Sequence, residues 1–446
     1  MVTPAAERKS FYATMAPYIR PRPLAALLLG ISSGFPLALL LGTMGFWLAK
    51  VGIDKKTIGF AIGLTTPYAL KFLWAPLIDR LKLPVLTNLL GQRRSWLFFV
   101  QGLLFVAVWM LGSSQPQLHI GVFAFWAIVT AFLGATQDIV IDAYRIEILP
   151  EEELAHGTAN NQFGYRLGAF IAGVGTIAMA SSEGLNLGWA TAYGLTGLCV
   201  VPGVIAALWA GPGLHDRVVV YASRSAAAWF HETVIGPFVE FLRRRGSLLI
   251  LLFVLVYKIG DAMGQAMLNP MIVELGFSDT EFIAINKLVG FWGLVVGIAL
   301  AAPFIAWLGM GRALFISGLL MMFSNLMFVI LAQQGHSDLW LTIAVATEQV
   351  TSGIGLTVFV TYLSGLSNLA FTATQFALLS SLASVGRTWM AVPAGYAAEQ
   401  LGWPGFWILT MVAAIPGMVL LWVLWQRGFV VESVRAARKG AEEVPA

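Results

Sequence analysis

Two carboxylates and a guanidinium close the fourth of about twelve long apolar runs in this sequence, in the string Thr136-Gln-Asp-Ile-Val-Ile-Asp-Ala-Tyr-Arg145. On a helix, Asp138 and Asp142 stand four residues apart and Arg145 three further on, so all three project from one face. A charge near the centre of a bilayer costs about 2.5–3.5 kcal/mol on insertion scales, so such a face turns towards a partner or a water-filled cavity. Two readings follow. Either the cluster neutralises itself and locks neighbouring helices together, or a carboxylate without a fixed partner takes up and releases a proton.

Lys71 is a partner for this face. It lies eight residues before Asp79, about 12 Å inside that helix end at 1.5 Å per residue, which is deep for simple snorkelling. Pairing with Asp138 or with Asp142 is expected. Asp138, Asp142, Lys71 and Arg145 therefore form the proton-coupling set.

Other polar residues fall inside apolar runs. Lys258 and Asp261 are three apart in the seventh run, spaced for an internal ion pair, with Tyr257 and Gln265 on neighbouring faces. Asn286 and Lys287 follow in the eighth run, Glu348 and Gln349 in the tenth. In the eleventh, Ser380, Ser384 and Arg387 share a stripe. The Arg387 fork suits a carboxylate or phosphate on a ligand, and the alternative is an ion pair with Glu348. Arg387, Lys258, Lys287, Gln162, Gln375, Asp261, Glu348 and Arg166 are the candidate substrate contacts. Asp79 and Arg80 end Trp74-Ala-Pro-Leu-Ile-Asp-Arg80 and precede Gly91-Gln-Arg-Arg94, the pattern of a gating latch that changes partners. Plain anchoring accounts for Arg80, Lys82, Arg93 and Arg94, but not for Asp79.

Enzyme chemistry has little support. All five histidines, His119, His156, His215, His231 and His336, fall in loops or at helix ends. Neither a phosphate-cradling loop nor paired metal-ligand motifs occur. The expectation is a chain that is not an enzyme, with no metal and no cofactor, driven by the proton gradient.

These residues need a membrane scaffold. Of 446 residues, 58% are hydrophobic and 11% charged, against about 25% charged in soluble domains. Runs long enough to cross about 30 Å of hydrocarbon lie near 24–48, 57–78, 95–114, 118–142, 157–181, 187–210, 247–272, 281–307, 312–333, 339–364, 372–397 and 403–426. The first is too long for a signal peptide and shows no small-residue cleavage site. Cys199 is the only cysteine, so no intramolecular disulfide forms.

Nineteen Lys and Arg fall on one side of this pattern, Arg145 among them, and only Lys50, Lys55 and Lys56 on the other. The positive-inside rule places both termini in the cytoplasm. Boundaries follow: a cytoplasmic N-terminal segment 1–23, a six-helix half 24–210, a basic connector 211–246, a second six-helix half 247–426 and a cytoplasmic tail 427–446. In the connector, Arg217, Arg224 and Arg243 to Arg245 with Trp229 and Phe230 suit a helix lying on lipid. In the first run Gly30, Gly34, Pro36, Gly42 and Gly45 permit bending or close helix contact.

The halves echo each other. Leu48-Ala-Lys-Val-Gly-Ile-Asp-Lys-Lys-Thr-Ile58 matches Val273-Glu-Leu-Gly-Phe-Ser-Asp-Thr-Glu-Phe282 in character, and Thr158-Ala-Asn-Asn-Gln-Phe-Gly164 echoes Thr372-Ala-Thr-Gln-Phe-Ala377. The fold class is an all-α membrane protein of the major facilitator plan, with twelve transmembrane helices in two pseudo-symmetric halves.

Several strings carry a more specific likeness: Ser33-Gly-Phe-Pro-Leu-Ala-Leu39, Thr57-Ile-Gly59, Leu70-Lys-Phe-Leu-Trp-Ala-Pro-Leu-Ile-Asp-Arg80, Ala135 to Arg145, Ile285-Asn-Lys287 and Phe371 to Arg387. Through them the chain resembles the AmpG family of muropeptide permeases, a branch of the major facilitator superfamily. The resemblance implies a protein of the inner membrane of a Gram-negative bacterium. Nothing in the sequence demands a partner chain, so a monomer in contact with lipid is expected, and the charge distribution reports topology, not nucleic acid. The resemblance also implies import of anhydro-muropeptides by proton symport, serving peptidoglycan recycling and through it β-lactamase induction. Acetyl-CoA transporters share a Thr-Gln-Asp-Ile-type fourth-span motif. Transport of another anionic metabolite such as acetyl-CoA, or a membrane sensor that does not transport, are the alternatives.

Overall fold

A computed structural model describes residues 14–446 except 55, 56, 58–60, 62, 183, 214–230, 392 and 443–446; at 232, 279, 387–391 and 438–442 it describes the backbone alone. The described residues form helices and no strand. Helix α1, Pro21–Lys50, opens with a proline at its first position, where the missing N–H leaves no bond unmade. Pro36 does interrupt the ladder, and a π-helical turn at Leu39–Thr43 takes up the disturbance.

The second run departs from expectation. Among the described residues of 57–78 there is no single helix: Pro67–Leu70 forms a single turn, Lys71–Leu73 a tighter one, and a short helix α2 spans Ala75–Arg80. Pro67 and Pro76 supply no N–H, so the ladder breaks at each. Lys71 thereby sits on irregular backbone, not on a helix face.

The remaining helices are α3 Gln92–Gly112, α4 Ile120–Ile148, α5 Glu151–Ala180, α6 Gly188–Ala210, α7 Ser247–Glu274, α8 Phe282–Leu308, α9 Met310–Gln334, α10 Asp338–Leu366, α11 Thr372–Ala391, α12 Ala394–Gln426 and α13 Phe429–Glu442. Ten of the twelve expected spans, α1, α3 to α10 and α12, are long and apolar enough to cross a membrane among the described residues. Helix α11 has the length, but Thr374, Gln375, Ser380, Ser381 and Ser384 dilute its apolar run. Helix α4 runs six residues past its expected end. Arg145 is therefore a fully buried helical residue and not one of the loop cations. Of the connector, Arg217, Arg224, Trp229 and Phe230 lie outside the described residues.

The chain packs as two compact units. The first comprises Ile19–Phe241, Leu366–Ser381 and Ala437–Ala446; the second comprises Met1–Tyr18, Leu242–Gly365 and Leu382–Ala436. The core of the first gathers Ala25, Leu29, Ile78 and Leu97 with Ile139, Val140 and Tyr144 of α4. A further cluster around Phe35, Met44, Trp47 and Phe123 lies in the same unit. There α1 and α5 cross closely: a Cβ on Gly164 would run into the Leu27 carbonyl, and one on Gly30 into that of Asn161. The second unit centres on Phe328 stacked on Trp407 at 4.3 Å, with Met271, Ile272 and Phe406. Its own close crossing sets Gly386 of α11 against the Leu255 carbonyl of α7.

Candidate functional site

The charged face of α4 meets the irregular stretch before α2. Lys71 Nζ lies 3.5 Å from Asp138 Oδ2 and 3.8 Å from Asp142 Oδ2, so the ammonium serves both carboxylates. Ser33 of α1 donates to Asp138 Oδ1 at 2.5 Å. Arg145 lies 3.4 Å from Asp142, donates to Thr158 of α5 at 2.9 Å and stacks over the Phe376 ring at 5.5 Å. Around them Gln137 donates to the Ser32 carbonyl and Trp74 to Thr136. The cluster balances two positive against two negative groups. Its ion pairs are long beside the 2.7–2.9 Å of a tight charge-assisted bond.

A second charged group in the same unit is tight. Arg93, fully buried, reaches Asp79 Oδ1 at 2.5 Å and Glu147 Oε1 at 2.8 Å, and donates to the Ile78 carbonyl. Asp79 turns its other oxygen to the start of α11, accepting from the Thr374 N–H at 2.8 Å and the Thr374 hydroxyl at 2.6 Å, while the Ala373 N–H reaches Oδ1 at 3.2 Å. Free N–H groups at a helix start favour a carboxylate, so Asp79 caps α11 from a distant part of the chain. Arg80 lies over the Phe371 ring at 5.4 Å. Gln375 is nearly sealed: it donates to the Pro237 carbonyl and to Glu240, and accepts from the Asn368 N–H. These bonds commit its amide to fixing the helix start.

The second unit holds its own polar network. Lys258 and Asp261 form the expected ion pair at 3.0 Å. Ser352 of α10 lies 2.9 Å from Asp261 and 3.2 Å from Glu348, and Gln265 donates to Glu348 at 2.5 Å. Lys287 is exposed, with its ammonium 5.0 Å from the Phe282 ring centre. Gln162 and Arg166 are half-buried on α5. The Arg387 side chain lies outside the described residues.

Comparison with known proteins decides the family. Residues 26–389 match the family model of the Major Facilitator Superfamily. The anhydromuropeptide permease of Escherichia coli K12 is 36% identical over 408 residues, covering 91% of this chain and 80% of that protein. The protein named AmpG 4 of Rickettsia conorii is 32% identical over 399 residues, covering 89% and 95%. The chain belongs to the AmpG family of the major facilitator superfamily. This is a family of multi-pass membrane transporters, not of enzymes. Solved structures carry the same fold: the proton:xylose symporter XylE at a TM-score of 0.64 and FucP in the outward conformation at 0.63, each 13% identical and spanning 92% and 91% of this chain, and 96% and 98% of their own.

Within this AmpG-family chain the fourth-span string and Lys71 come together as a group. Sequence reasoning missed Ser33, Arg93, Glu147 and Ser352. Arg93 reads as one more anchoring cation, yet it is the centre of a buried triad. A signal for Glu147 was available: an acid in the last turn of α4 sits at the negative end of the helix dipole and calls for a cationic partner.

Proposed function

We propose that this chain is a proton-coupled importer carrying anhydro-muropeptides from periplasm to cytoplasm. It works as a monomer in the inner membrane, both termini cytoplasmic. The observation that carries the substrate class is the similarity, over nine-tenths of the chain, to the E. coli anhydromuropeptide permease. The loose cluster of Lys71, Asp138, Asp142 and Arg145 supports the coupling.

When a proton neutralises Asp138, Lys71 loses one of its two counter-charges and becomes available to a carboxylate on the substrate. Loss of the proton recaptures Lys71 and releases the ligand. Bound proton and bound substrate thereby favour each other, which is what symport requires. Arg387, Arg166, Lys287 and Gln162 supply further donors for carboxylates and sugar hydroxyls. Asp79 and Arg80 act as the gate: the Asp79 cap on α11 forms when the cytoplasmic passage is shut and parts when it opens.

Counterflow tests the substrate class. Proteoliposomes preloaded with unlabelled GlcNAc-anhydro-MurNAc peptide should take up the labelled compound, and acetyl-CoA should not compete. Competition by acetyl-CoA alone would replace the muropeptide by an anionic nucleotide thioester, and ligand binding without exchange would mark a sensor.

A further inference from the structure

In the second unit one hydroxyl faces two carboxylates. Ser352 Oγ lies 2.9 Å from Asp261 Oδ1 and 3.2 Å from Glu348 Oε1. A serine hydroxyl carries a single proton, so it donates to one of them only. Asp261 is the nearer and already holds Lys258 at 3.0 Å. Were both carboxylates ionised, Glu348 Oε1 would face a serine lone pair with the Gln265 amide as its one donor. Glu348 Oε2 is buried with no hydrogen-bond partner, and the residue is only 4% exposed. An ionised carboxylate has about four acceptor positions to satisfy. This pocket does not satisfy them.

A proton on Glu348 Oε1 removes the conflict. Glu348 then donates to Ser352, Ser352 donates to Asp261, and Asp261 pairs with Lys258, so every hydroxyl has an acceptor and the charges balance. Helices α8, α9 and α12 add no competing charge among the described residues; Glu399 of α12 is exposed. Helix α8 crosses α10 at Gly297 and Val350 and contributes Lys287, which is exposed over Phe282. Helix α9 meets α10 at Met321 and Gly355, and its one charged residue, Arg312, lies at its far end. The Arg387 side chain of α11 lies outside the described residues.

We infer that Glu348, relayed through Ser352 to Asp261, is a second proton-binding site of this transporter, distinct from the cluster on α4. In transfer, Glu348 gives its proton to Ser352 as Ser352 passes its own to Asp261. One proton moves, Glu348 becomes the anion and Asp261 the acid. The site's part in transport rests on the proton-coupled reading above; its occupancy does not.

Infrared difference spectroscopy of the full chain in proteoliposomes, without substrate, tests occupancy directly. At pH 7 the wild type should show a carboxylic-acid carbonyl band that is lost in Glu348→Gln. Ser352→Ala should keep the band but move it to higher frequency, because the acid loses its acceptor; this variant decides the matter if Glu348→Gln does not fold. An identical band in wild type and folded Glu348→Gln, or an unshifted band in Ser352→Ala, would overturn the assignment. With no substrate present, failure here is separable from failure of the muropeptide reading.

Discussion

Lys71 Nζ stands 3.5 Å from Asp138, and the same ammonium is 3.8 Å from Asp142. One cation shared between two nearly buried carboxylates is a joint that can be remade, whereas Arg93 at 2.5 and 2.8 Å from its partners is a clamp. Asp142 and Glu147 place the two groups on neighbouring turns of α4, and the groups differ in the length of their ion pairs.

Removing the shared cation strands both acids. Breaking a buried pair by deleting one partner costs about 3–5 kcal/mol. Lys71→Met should lower the thermal midpoint and abolish uptake. Adding Asp138→Asn should recover much of the stability without restoring gradient-driven accumulation. Thermal unfolding in detergent and uptake by the same preparations check both parts.

The cap on α11 makes a graded prediction. Thr374→Val removes a hydroxyl bond worth about 0.5–1.5 kcal/mol and leaves the N–H bond, so it should slow uptake modestly. Asp79→Ala removes the cap and leaves Arg93 one counter-charge short, and should abolish uptake. Arg93→Met, which strands Asp79 and Glu147 together, should be the most destabilising of the three by thermal unfolding.

Much of this was legible in the sequence, for a physical reason. Charges in an apolar run are expensive, so Asp138, Asp142, Lys71, Lys258 and Asp261 announce themselves by position, and helical spacing gives the Lys258–Asp261 and Asp142–Arg145 pairs. Arg93 and Glu147 sit where charges are ordinary, so composition cannot tell a buried clamp from an anchoring loop. The broken second span escaped because Pro67 and Pro76 act on backbone hydrogen bonds, to which an apolar count is blind. Gln375 has the composition of a binding residue, but its bonds to Asn368, seven residues away, and to the distant Pro237 emerge only once the chain has folded.

The α1–α5 crossing should tolerate no side chain at its centre. Gly164→Ala would force the helices apart at the Leu27 carbonyl, and should leave little folded protein by size-exclusion chromatography. At Gly173, where a Cβ meets nothing, the same change should be accepted.

Glu281 gives a pH prediction outside the spans. It accepts from the Ser278 N–H and hydroxyl, both at 2.7 Å, with a His336 ring nitrogen 3.1 Å away. These contacts, the Ser278 N–H first, hold its carboxyl at about 2, below the usual 4.5. A depressed carboxyl contributes stability that is complete above the ordinary value and lost as pH falls through the folded one. Glu281→Gln should therefore lower the thermal midpoint at pH 7, and the difference from wild type should vanish on acidification towards pH 2.

The most direct measurement is accumulation of labelled GlcNAc-anhydro-MurNAc peptide in proteoliposomes, with and without an inward proton gradient, for wild type, Asp138→Asn and Asp142→Asn. For one proton per substrate, a gradient of one pH unit should drive about tenfold accumulation by the wild type, since one unit is about 1.4 kcal/mol. Both variants should lose accumulation while retaining some exchange. Gradient-driven accumulation unchanged in both variants, or none in folded wild type, would contradict the account.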